Sequence, residues 1–138
     1  MKKPYQALIF DWDGTLADST SMIVQAVQQA FVENDFAMPS DSEASHIIGL
    51  ALPKAMQHLA PQANADEIFA LSESYKRLFL NPNNQMRLFQ DAQALLPSLK
   101  PDYWLTVATG KSRRGLDRAL TEVGLDNGFF LATRTVDE

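Results

Sequence analysis

The most informative segment of this 138-residue chain is Leu8-Ile9-Phe10-Asp11-Trp12-Asp13-Gly14-Thr15-Leu16. It includes the end of a short apolar run, residues 5–10, which predicts a buried strand that stops at a polar turn. If the strand geometry continues, period-two alternation places the Asp11 and Asp13 side chains on the same side. Two carboxylates in one crevice repel each other unless a cation neutralises them or one keeps its proton. The pair therefore suits phosphoryl chemistry, in which one aspartate attacks and the other transfers protons.

Gly14 and Thr15 add the features of an anion-binding turn. Gly14 permits the tight turn that brings backbone amides near an anion, and Thr15 adds a hydroxyl or a backbone donor. The alternative is an ordinary Asp-Gly turn, capped by Asp11, where nothing binds. An EF-hand loop is excluded, because its sixth and twelfth positions, counted from Asp11, hold Leu16 and Met22 instead of glycine and glutamate.

Composition places the chain among ordinary globular proteins, with 46% hydrophobic and 21% charged residues. Its length predicts one domain with room for a small lobe. No apolar run approaches the roughly 18 residues of a membrane span, and the net charge of −5 argues against binding to nucleic acid or anionic lipid. The absence of cysteine excludes disulfides and thiolate metal sites and fits a cytoplasmic location. His46 and His58 are isolated in the sequence and are interpreted as surface or packing residues.

Helical patterns fill the segment between the first strand and a breaker at residues 81–84. Apolar residues recur at helical spacing from Thr20 onward. Capping-box pairs, in which serine or asparagine is followed three residues later by glutamate, mark two further helix starts at Ser40 and Asn64. Pro53 is placed near the first position of another helix. This pattern predicts a helical insertion over residues 19–82 and a core formed by residues 1–18 and 83–138.

After residue 84 the pattern becomes mixed α/β. Asp91 predicts the cap of a helix that contains Pro97, which is expected to cost a hydrogen bond and bend the helix. Residues 103–108 are rich in strand formers and predict a second buried strand. Gly124 ends the next helix, and residues 129–133 predict a third strand. Strand, helix, strand, helix, strand is typical of an α/β fold with a right-handed parallel sheet, whose ligands bind at its carboxyl edge.

Thr109 and Gly110 stand where the second predicted strand turns into a helix. Free backbone amides and the helix dipole favour an anion at such a position, so the sequence predicts a phosphate site there. Gly110-Lys111-Ser112 also looks like the tail of a nucleotide-binding P-loop, but the first glycine of that motif would fall at Leu105, which excludes it. Lys111 either meets a phosphate or is simply solvated, as lysines in polar turns often are.

Residues 8–16 resemble the first signature of the haloacid dehalogenase-like (HAD) phosphohydrolase superfamily, and residues 107–111 are similar to its second signature. The helical insertion resembles the cap of the phosphoglycolate phosphatase and β-phosphoglucomutase branch, in which Ile48, Gly49 and Leu50 look like the substrate-facing loop. The resemblance spans nearly the whole chain. It implies an α/β fold with a Rossmann-like parallel-sheet core of about three strands and an all-helical cap inserted after the first strand.

The resemblance further implies a magnesium-dependent phosphatase of small phosphorylated metabolites, such as phosphoglycolate or a sugar phosphate. Asp11 would be the nucleophile that forms an aspartyl-phosphate, and Asp13 would protonate the leaving group and then activate water. The Asp11 carboxylate and the Asp13 backbone carbonyl would bind Mg²⁺. Thr109 and the Gly110 amide would hold the transferring phosphoryl group, and closure of the cap would exclude water and select the substrate.

The sequence departs from the family pattern near its last residues. The family also supplies a lysine beside the phosphate from a later loop, and a further acidic pair that completes the magnesium shell; neither is found in this sequence. Asp137 and Glu138 lack the preceding apolar strand typical of those acids. We therefore expect the N-terminal part of a longer enzyme, with weak or no hydrolysis by this chain and self-association through an open sheet edge. The alternatives are a phosphomutase with the same aspartyl chemistry and a non-catalytic phosphate-binding or interaction module.

Overall fold

Three parallel strands form the sheet in the computed structural model, which describes residues 3–138. They are β1 (Ala7–Phe10), β2 (Trp104–Ala108) and β3 (Ala132–Arg134), and they lie side by side in that order. Phe10 lies opposite Val107, and Val107 lies opposite Thr133. Parallel pairing in this register brings the carboxyl ends of the strands to one edge of the sheet. The predicted α/β fold with a parallel sheet is confirmed.

The chain divides into two units, one of residues 19–85 and one of residues 1–18 and 86–138. The first is helical and contains α1 (Thr20–Glu33), α2 (Asp41–His46), α3 (Leu52–Leu59) and α4 (Ala65–Phe79). The second contains the sheet together with α5 (Gln90–Leu99) and α6 (Arg113–Glu122). Within the described residues, none of these helices has the length and apolar character needed to cross a membrane.

The helical unit has its own apolar core. Helix α1 packs against α2 and α4, and α3 packs against α4. The largest fully buried side chains in this core are Phe31, Met56 and Leu71. The predicted capping boxes are confirmed at Ser40 and Asn64. In each, the cap side chain accepts a hydrogen bond from the backbone amide of the glutamate three residues later. That glutamate's carboxylate in turn accepts a hydrogen bond from the backbone amide of the cap residue. These caps satisfy backbone donors that a helix start leaves unpaired.

One face of the sheet is covered and the other is open among the described residues. Leu105 of β2 is buried, whereas Trp104 is 60% exposed and Ile9, on the same face of β1, is 72% exposed. Both crossovers run from a strand to its neighbour in the same direction, so right-handed connections place α5 and α6 on the same side of the sheet. Leu96 of α5 and Leu116 of α6 are buried, as expected for helices that cover one face. The opposite face keeps its apolar side chains exposed.

Two local boundary predictions are wrong. The N-cap position of α5 is Phe89, whose side chain makes no capping hydrogen bond, and Asp91 lies in the first turn, where a carboxylate still complements the helix dipole. Pro97 lies inside α5, and the helix nevertheless continues to Leu99. Strand β3 covers Ala132–Arg134 instead of residues 129–133, because Phe129 and Phe130 pack edge to face at 5.1 Å before the strand begins.

Candidate active site

The chain leaves β1 in a tight turn over residues 12–17. The Trp12 carbonyl accepts hydrogen bonds from the amides of Thr15, Leu16 and Ala17 at 3.1, 3.0 and 3.0 Å. Gly14 adopts a φ of 74°, a left-handed conformation that glycine reaches without steric cost. The strand geometry therefore ends at Phe10. The period-two alternation that would carry both aspartates to one side does not extend through this turn.

Trp12 anchors the turn in the interior. Its side chain is fully buried, and its indole Nε1 has no hydrogen-bond partner within residues 3–138. A buried donor without a partner costs about 1–3 kcal/mol, comparable to the roughly 1.5–3 kcal/mol gained by burying a large apolar side chain. The tryptophan thus fixes the backbone between Asp11 and Asp13 mainly through its size.

The two aspartates differ in their surroundings. Asp11 is exposed, and its Oδ1 accepts a hydrogen bond from the Trp12 amide at 2.7 Å. The Asp13 carboxylate is only 12% exposed and lies 3.3 Å from Nζ of Lys111, whose side chain is 10% exposed. Because both charges are largely withdrawn from water, their attraction is stronger than in a surface ion pair. Lys111, for which the sequence left phosphate contact and solvation open, is thus in contact with the second aspartate.

The backbone amides of Gly14 and Thr15 donate hydrogen bonds within the turn. The Gly14 amide donates to the Ala17 carbonyl at 2.9 Å, and the Thr15 amide donates to Trp12. The Thr15 side chain is exposed. The role predicted for Thr15 in binding an anion therefore rests on its hydroxyl group.

The turn after β2 is built around Thr109. Its amide donates to the Arg134 carbonyl at 3.0 Å, and its Oγ1 accepts the Lys111 amide at 3.1 Å. The Gly110 amide has no hydrogen-bond partner in the described part of the chain. Helix α6 begins directly after this turn, capped by the Ser112 hydroxyl. An unpaired amide just before a helix start is typical of an anion site.

The segment after β3 meets the start of α6 in a charged cluster. Arg113 forms an ion pair with Glu138 at 2.8 Å, and the Arg113 amide donates to Asp137 at 2.9 Å. The hydrogen bonds that the Arg113 guanidinium donates to Glu138 raise its pKa. Hydrogen bonds from the Thr135 hydroxyl and the Arg113 amide lower the pKa of Asp137, and the hydrogen bond from Arg113 lowers that of Glu138. This cluster is not predicted from the sequence, because no local pattern relates residues 25 positions apart.

The predicted substrate loop lies between α2 and α3. Gly49 adopts a φ of 100°, which disfavours any residue with a side chain. Ile48 is half-buried and packs against the core of the helical unit, whereas Leu50 is 45% exposed. The loop therefore offers an exposed apolar side chain beside a glycine-dependent turn, and its contact with a substrate stays a prediction.

His46 and His58 are not isolated in space. Both are exposed, in the last turns of α2 and α3, and their ring centroids lie 6.2 Å apart. Their interpretation as surface residues agrees with this exposure. The two rings belong to the helical unit.

The oxygen donors near β1 suit a hard divalent cation. Mg²⁺ keeps several waters and is usually bound by one or two carboxylates together with substrate phosphate. The exposed Asp11 carboxylate and the Asp13 backbone carbonyl offer two such oxygens. No cluster of three or more histidine, cysteine, aspartate or glutamate side chains able to hold a metal occurs within residues 3–138. The donor set fits Mg²⁺ bound with water and substrate, not an all-protein cage.

The chain is similar to known proteins over nearly its whole length. The sequence profile of the haloacid dehalogenase-like hydrolase family matches residues 8–137. Tyrosine-protein kinase PtkA of Mycobacterium tuberculosis (strain ATCC 25618 / H37Rv) is 30% identical over 126 residues, which are 90% of this chain and 42% of that protein. The chain thus spans less than half the length of this curated relative.

Solved structures share the fold at lower identity. A predicted phosphoglycolate phosphatase from Haemophilus somnus 129PT matches with a TM-score of 0.81 and 23% identity, over 95% of this chain and 62% of that one. A hydrolase from Pseudomonas syringae gives a TM-score of 0.82 and 24% identity, over 97% and 62%. The haloacid dehalogenase-like family protein SP0104 from Streptococcus pneumoniae gives 0.79 and 23%, over 95% and 61%. At these identities the likeness shows the fold, and this chain spans less than two thirds of each solved relative.

Proposed function

Because the chain belongs to the haloacid dehalogenase-like hydrolase family, we propose that it hydrolyses phosphate monoesters of small metabolites through an aspartyl-phosphate. The observation that carries this proposal is the ion pair between Lys111 and Asp13 at 3.3 Å. It joins the two segments that bear the family's signatures and supplies a cation between the ends of β1 and β2. A phosphate dianion that approaches two carboxylates needs such a positive charge.

In the first half-reaction the Asp11 carboxylate attacks the phosphorus atom. A bond forms between an Asp11 oxygen and phosphorus, and the bond from phosphorus to the ester oxygen breaks. The leaving oxygen takes a proton that the Asp13 carboxylate, paired with Lys111, has first accepted from water. The exposure of Asp11 supports this assignment, since an attacking group must be open to its substrate. The hydrogen bond from the Trp12 amide to Oδ1 holds the carboxylate in a fixed orientation.

In the second half-reaction water releases the phosphate. Asp13, now a carboxylate, takes a proton from a water molecule whose oxygen attacks the phosphorus atom. The Asp11 carboxylate is regenerated as inorganic phosphate leaves. The contact with Lys111 keeps the Asp13 carboxylate at the end of β1, where both proton transfers take place.

The turn after β2 supplies the donors for the phosphoryl oxygens. We assign this role to the unpaired Gly110 amide, to Thr109 and to the ammonium group of Lys111, with the Thr15 hydroxyl as a further donor. Donors that are already in place stabilise the charge that builds up on the equatorial oxygens in the transition state. This assignment extends the predicted phosphate site by Lys111.

Magnesium is the cofactor that we propose, held by the Asp11 carboxylate and the Asp13 backbone carbonyl. When bound, the ion neutralises phosphate charge and orients the group for in-line attack. The small-metabolite class follows from the family resemblance. We further propose a cytoplasmic location, which the absence of cysteine favours.

A second candidate function is phosphoryl transfer to or from tyrosine. It is favoured by the 30% identity to a protein named as a tyrosine kinase. An aspartyl-phosphate can pass its phosphoryl group to any hydroxyl that reaches it, so the same residues serve either reaction, and equally a phosphomutase. The nature of the acceptor distinguishes these functions.

The experiment measures phosphate release from p-nitrophenyl phosphate, 2-phosphoglycolate, glucose 6-phosphate and phosphotyrosine, with and without Mg²⁺. It compares the unmodified chain with Asp11→Asn and with the matched control Asp18→Asn, a substitution at an exposed aspartate of the same unit. We expect Mg²⁺-dependent turnover to be weak, because the family's later lysine and second acidic pair are not in this sequence, to be abolished by Asp11→Asn and to be retained by Asp18→Asn.

Other outcomes select the alternatives. Turnover that persists in Asp11→Asn overturns the aspartyl mechanism. Binding of orthovanadate without turnover on any substrate identifies a non-catalytic phosphate-binding module. Transfer of labelled phosphate from ATP to a tyrosine peptide, or back to the sugar, identifies a kinase or a mutase, respectively.

A further inference from the structure

The segment after β3, residues 135–138, is hydrogen-bonded to the turn that carries Lys111. The Val136 amide donates to the Lys111 carbonyl at 2.9 Å, and the Thr109 amide donates to the Arg134 carbonyl at 3.0 Å. Thr135, between these two contacts, is 7% exposed. The turn is therefore tied by backbone hydrogen bonds on both sides of Gly110, while Lys111 extends toward Asp13.

Arg113 organises this segment through its side chain. Its Nη1 donates to the Thr133 hydroxyl at 2.7 Å, and its Nη2 donates to the Thr133 carbonyl at 3.0 Å. The same guanidinium donates to the Glu138 carboxylate through Nε at 3.1 Å and through Nη2 at 2.8 and 2.9 Å. A planar guanidinium that contacts a strand residue and a carboxylate together fixes their separation, because its donors form a rigid fork.

Asp137 also belongs to this cluster, and it contacts the backbone of Arg113 instead of its side chain. Its Oδ1 accepts the Arg113 amide at 2.9 Å and the Thr135 hydroxyl at 2.5 Å. The amide of Arg113 is one of the donors that the start of α6 leaves unpaired, so this carboxylate also complements the helix dipole. Lys111 thus lies on a turn whose start is bonded to β3 and whose end is bonded to residues 136–138.

We propose that Arg113, Asp137 and Glu138 are positioning residues that hold Lys111 against Asp13. This inference rests on the proposed function for its catalytic meaning, but its physical content is the placement of one side chain. A lysine has a flexible four-carbon stem, so a defined contact at its ammonium group requires a fixed backbone beneath it. The contacts of the cluster converge on that backbone within two residues of Lys111.

The test measures the accessibility of the Lys111 ammonium group without any substrate. Lysines are acetylated with a water-soluble N-hydroxysuccinimide ester, and the rate at each lysine is followed by peptide mass spectrometry. We expect slow modification of Lys111 in the unmodified chain and a severalfold faster rate in Arg113→Met. The matched control is Arg114→Met, which removes an exposed arginine next along the helix, and Lys54, on α3, reports the intrinsic reagent rate.

A second variant covers the case in which Arg113→Met does not fold, as judged by circular dichroism. Glu138→Gln keeps the size of the side chain and removes only its charge, and we expect it to raise the Lys111 rate in the same direction. Unchanged Lys111 rates in the folded variants overturn the proposal. Because acetylation needs no turnover, this result is independent of whether the chain hydrolyses phosphate esters.

Steady-state kinetics of double variants distinguish a residue that positions Lys111 from one that only supports the fold. In a chain active on p-nitrophenyl phosphate, we expect Arg113→Met to lower kcat/KM in the unmodified background and to have little further effect in a Lys111→Met background. Such non-additivity is the signature of a residue that acts through another. Fully additive losses overturn the positioning role.

Discussion

Lys111 reaches Asp13 from a position 98 residues further along the chain. A lysine in a polar turn can be solvated or can meet an anion, and the sequence near Lys111 is compatible with both. The structure shows that Lys111 meets an anion, because parallel pairing of β1 and β2 brings the turn after β2, which carries Lys111, next to the turn after β1, which carries Asp13. The result is an ion pair of low exposure beside the exposed Asp11.

The first prediction concerns Lys111 itself. We expect Lys111→Met to lower kcat/KM for p-nitrophenyl phosphate by about ten- to a hundredfold, since a hydrogen bond to a charged group contributes about 1.5–3 kcal/mol. The measurement is steady-state kinetics, with orthovanadate binding as a readout that needs no turnover. Lys54→Met, at an exposed position on α3, is the control, and equal effects of the two substitutions would contradict the role of Lys111.

At the scale of elements, local chemistry explains where several helices begin and end. Helix α4 begins at the Asn64 capping box. Gly124 follows the end of α6, and its φ of 76° suits glycine. The Gly124 amide donates to Thr121 and the Leu125 amide donates to Leu120, so carbonyls at the helix end are paired. The capping residues and the glycine lie within a few residues of the helix boundary that they set, so these boundaries can be predicted from the sequence.

The second prediction concerns the cap of α4. Asn64→Ala should lower the free energy of unfolding by about 1 kcal/mol, because it leaves the Glu67 amide without its side-chain acceptor. Urea denaturation measures the difference. Asn83→Ala, in the exposed turn after α4, makes the same chemical change outside a helix cap, and a loss of equal size there would show that the cap is not the cause.

The third prediction concerns the segment after β3 and pH. The pKa values of Asp137 and Glu138 are lowered from 3.8 and 4.5, so their contribution to stability is present above those unfolded values. It is lost as pH falls through the lowered folded values, where the carboxylates take up protons. The cations that face these two carboxylates are Arg113 and Arg134. The raised pKa of Arg113 keeps its guanidinium charged over the whole pH range of the experiment.

Thermal unfolding of the unmodified chain and of an Asp137→Asn, Glu138→Gln double variant measures this contribution. We expect the unmodified chain to have the higher Tm at neutral pH and the difference to shrink as the pH falls below 3.8, the ordinary value of an aspartate. A difference of the same size at neutral and strongly acidic pH would contradict the proposed cause.

At the scale of the whole molecule, the sheet presents an exposed apolar face and an unpaired edge. Strands β1 and β3 are the two outer strands among the described residues, and Ile9 of β1 and Trp104 of β2 lie on the same face with 72% and 60% exposure. Unpaired strand edges and apolar patches favour association with other chains. The self-association expected from the sequence has a candidate surface in these residues.

The fourth prediction tests that surface. We expect the chain to associate with rising concentration and Ile9→Lys to weaken the association, because it places a charge in the centre of the open face. Size-exclusion chromatography with light scattering measures the mass. Phe69→Lys, at a 66% exposed position on α4, is the control, and a monomer at every concentration would contradict the prediction.

The features that depend on neighbouring residues can be predicted from the sequence. Hydrophobic runs of strand length predicted an α/β sheet, capping pairs predicted the starts of α2 and α4, and glycine predicted the end of α6. The roles of Asp11 and Asp13 as nucleophile and acid come from the family resemblance and stay predictions. Boundaries that depend on packing, such as the first residue of β3, were placed wrongly.

Contacts between residues that are distant in the sequence are set by the three-dimensional fold. The contact of Lys111 with Asp13, the cluster of Arg113 with Asp137 and Glu138, and the open face of the sheet depend on strand order, register and crossover handedness. The physical reason is range: capping, turns and hydrophobic periodicity act over a few residues and are visible in one sequence. Ion pairs between turns act across space, and the chain separation of their partners carries no local signal.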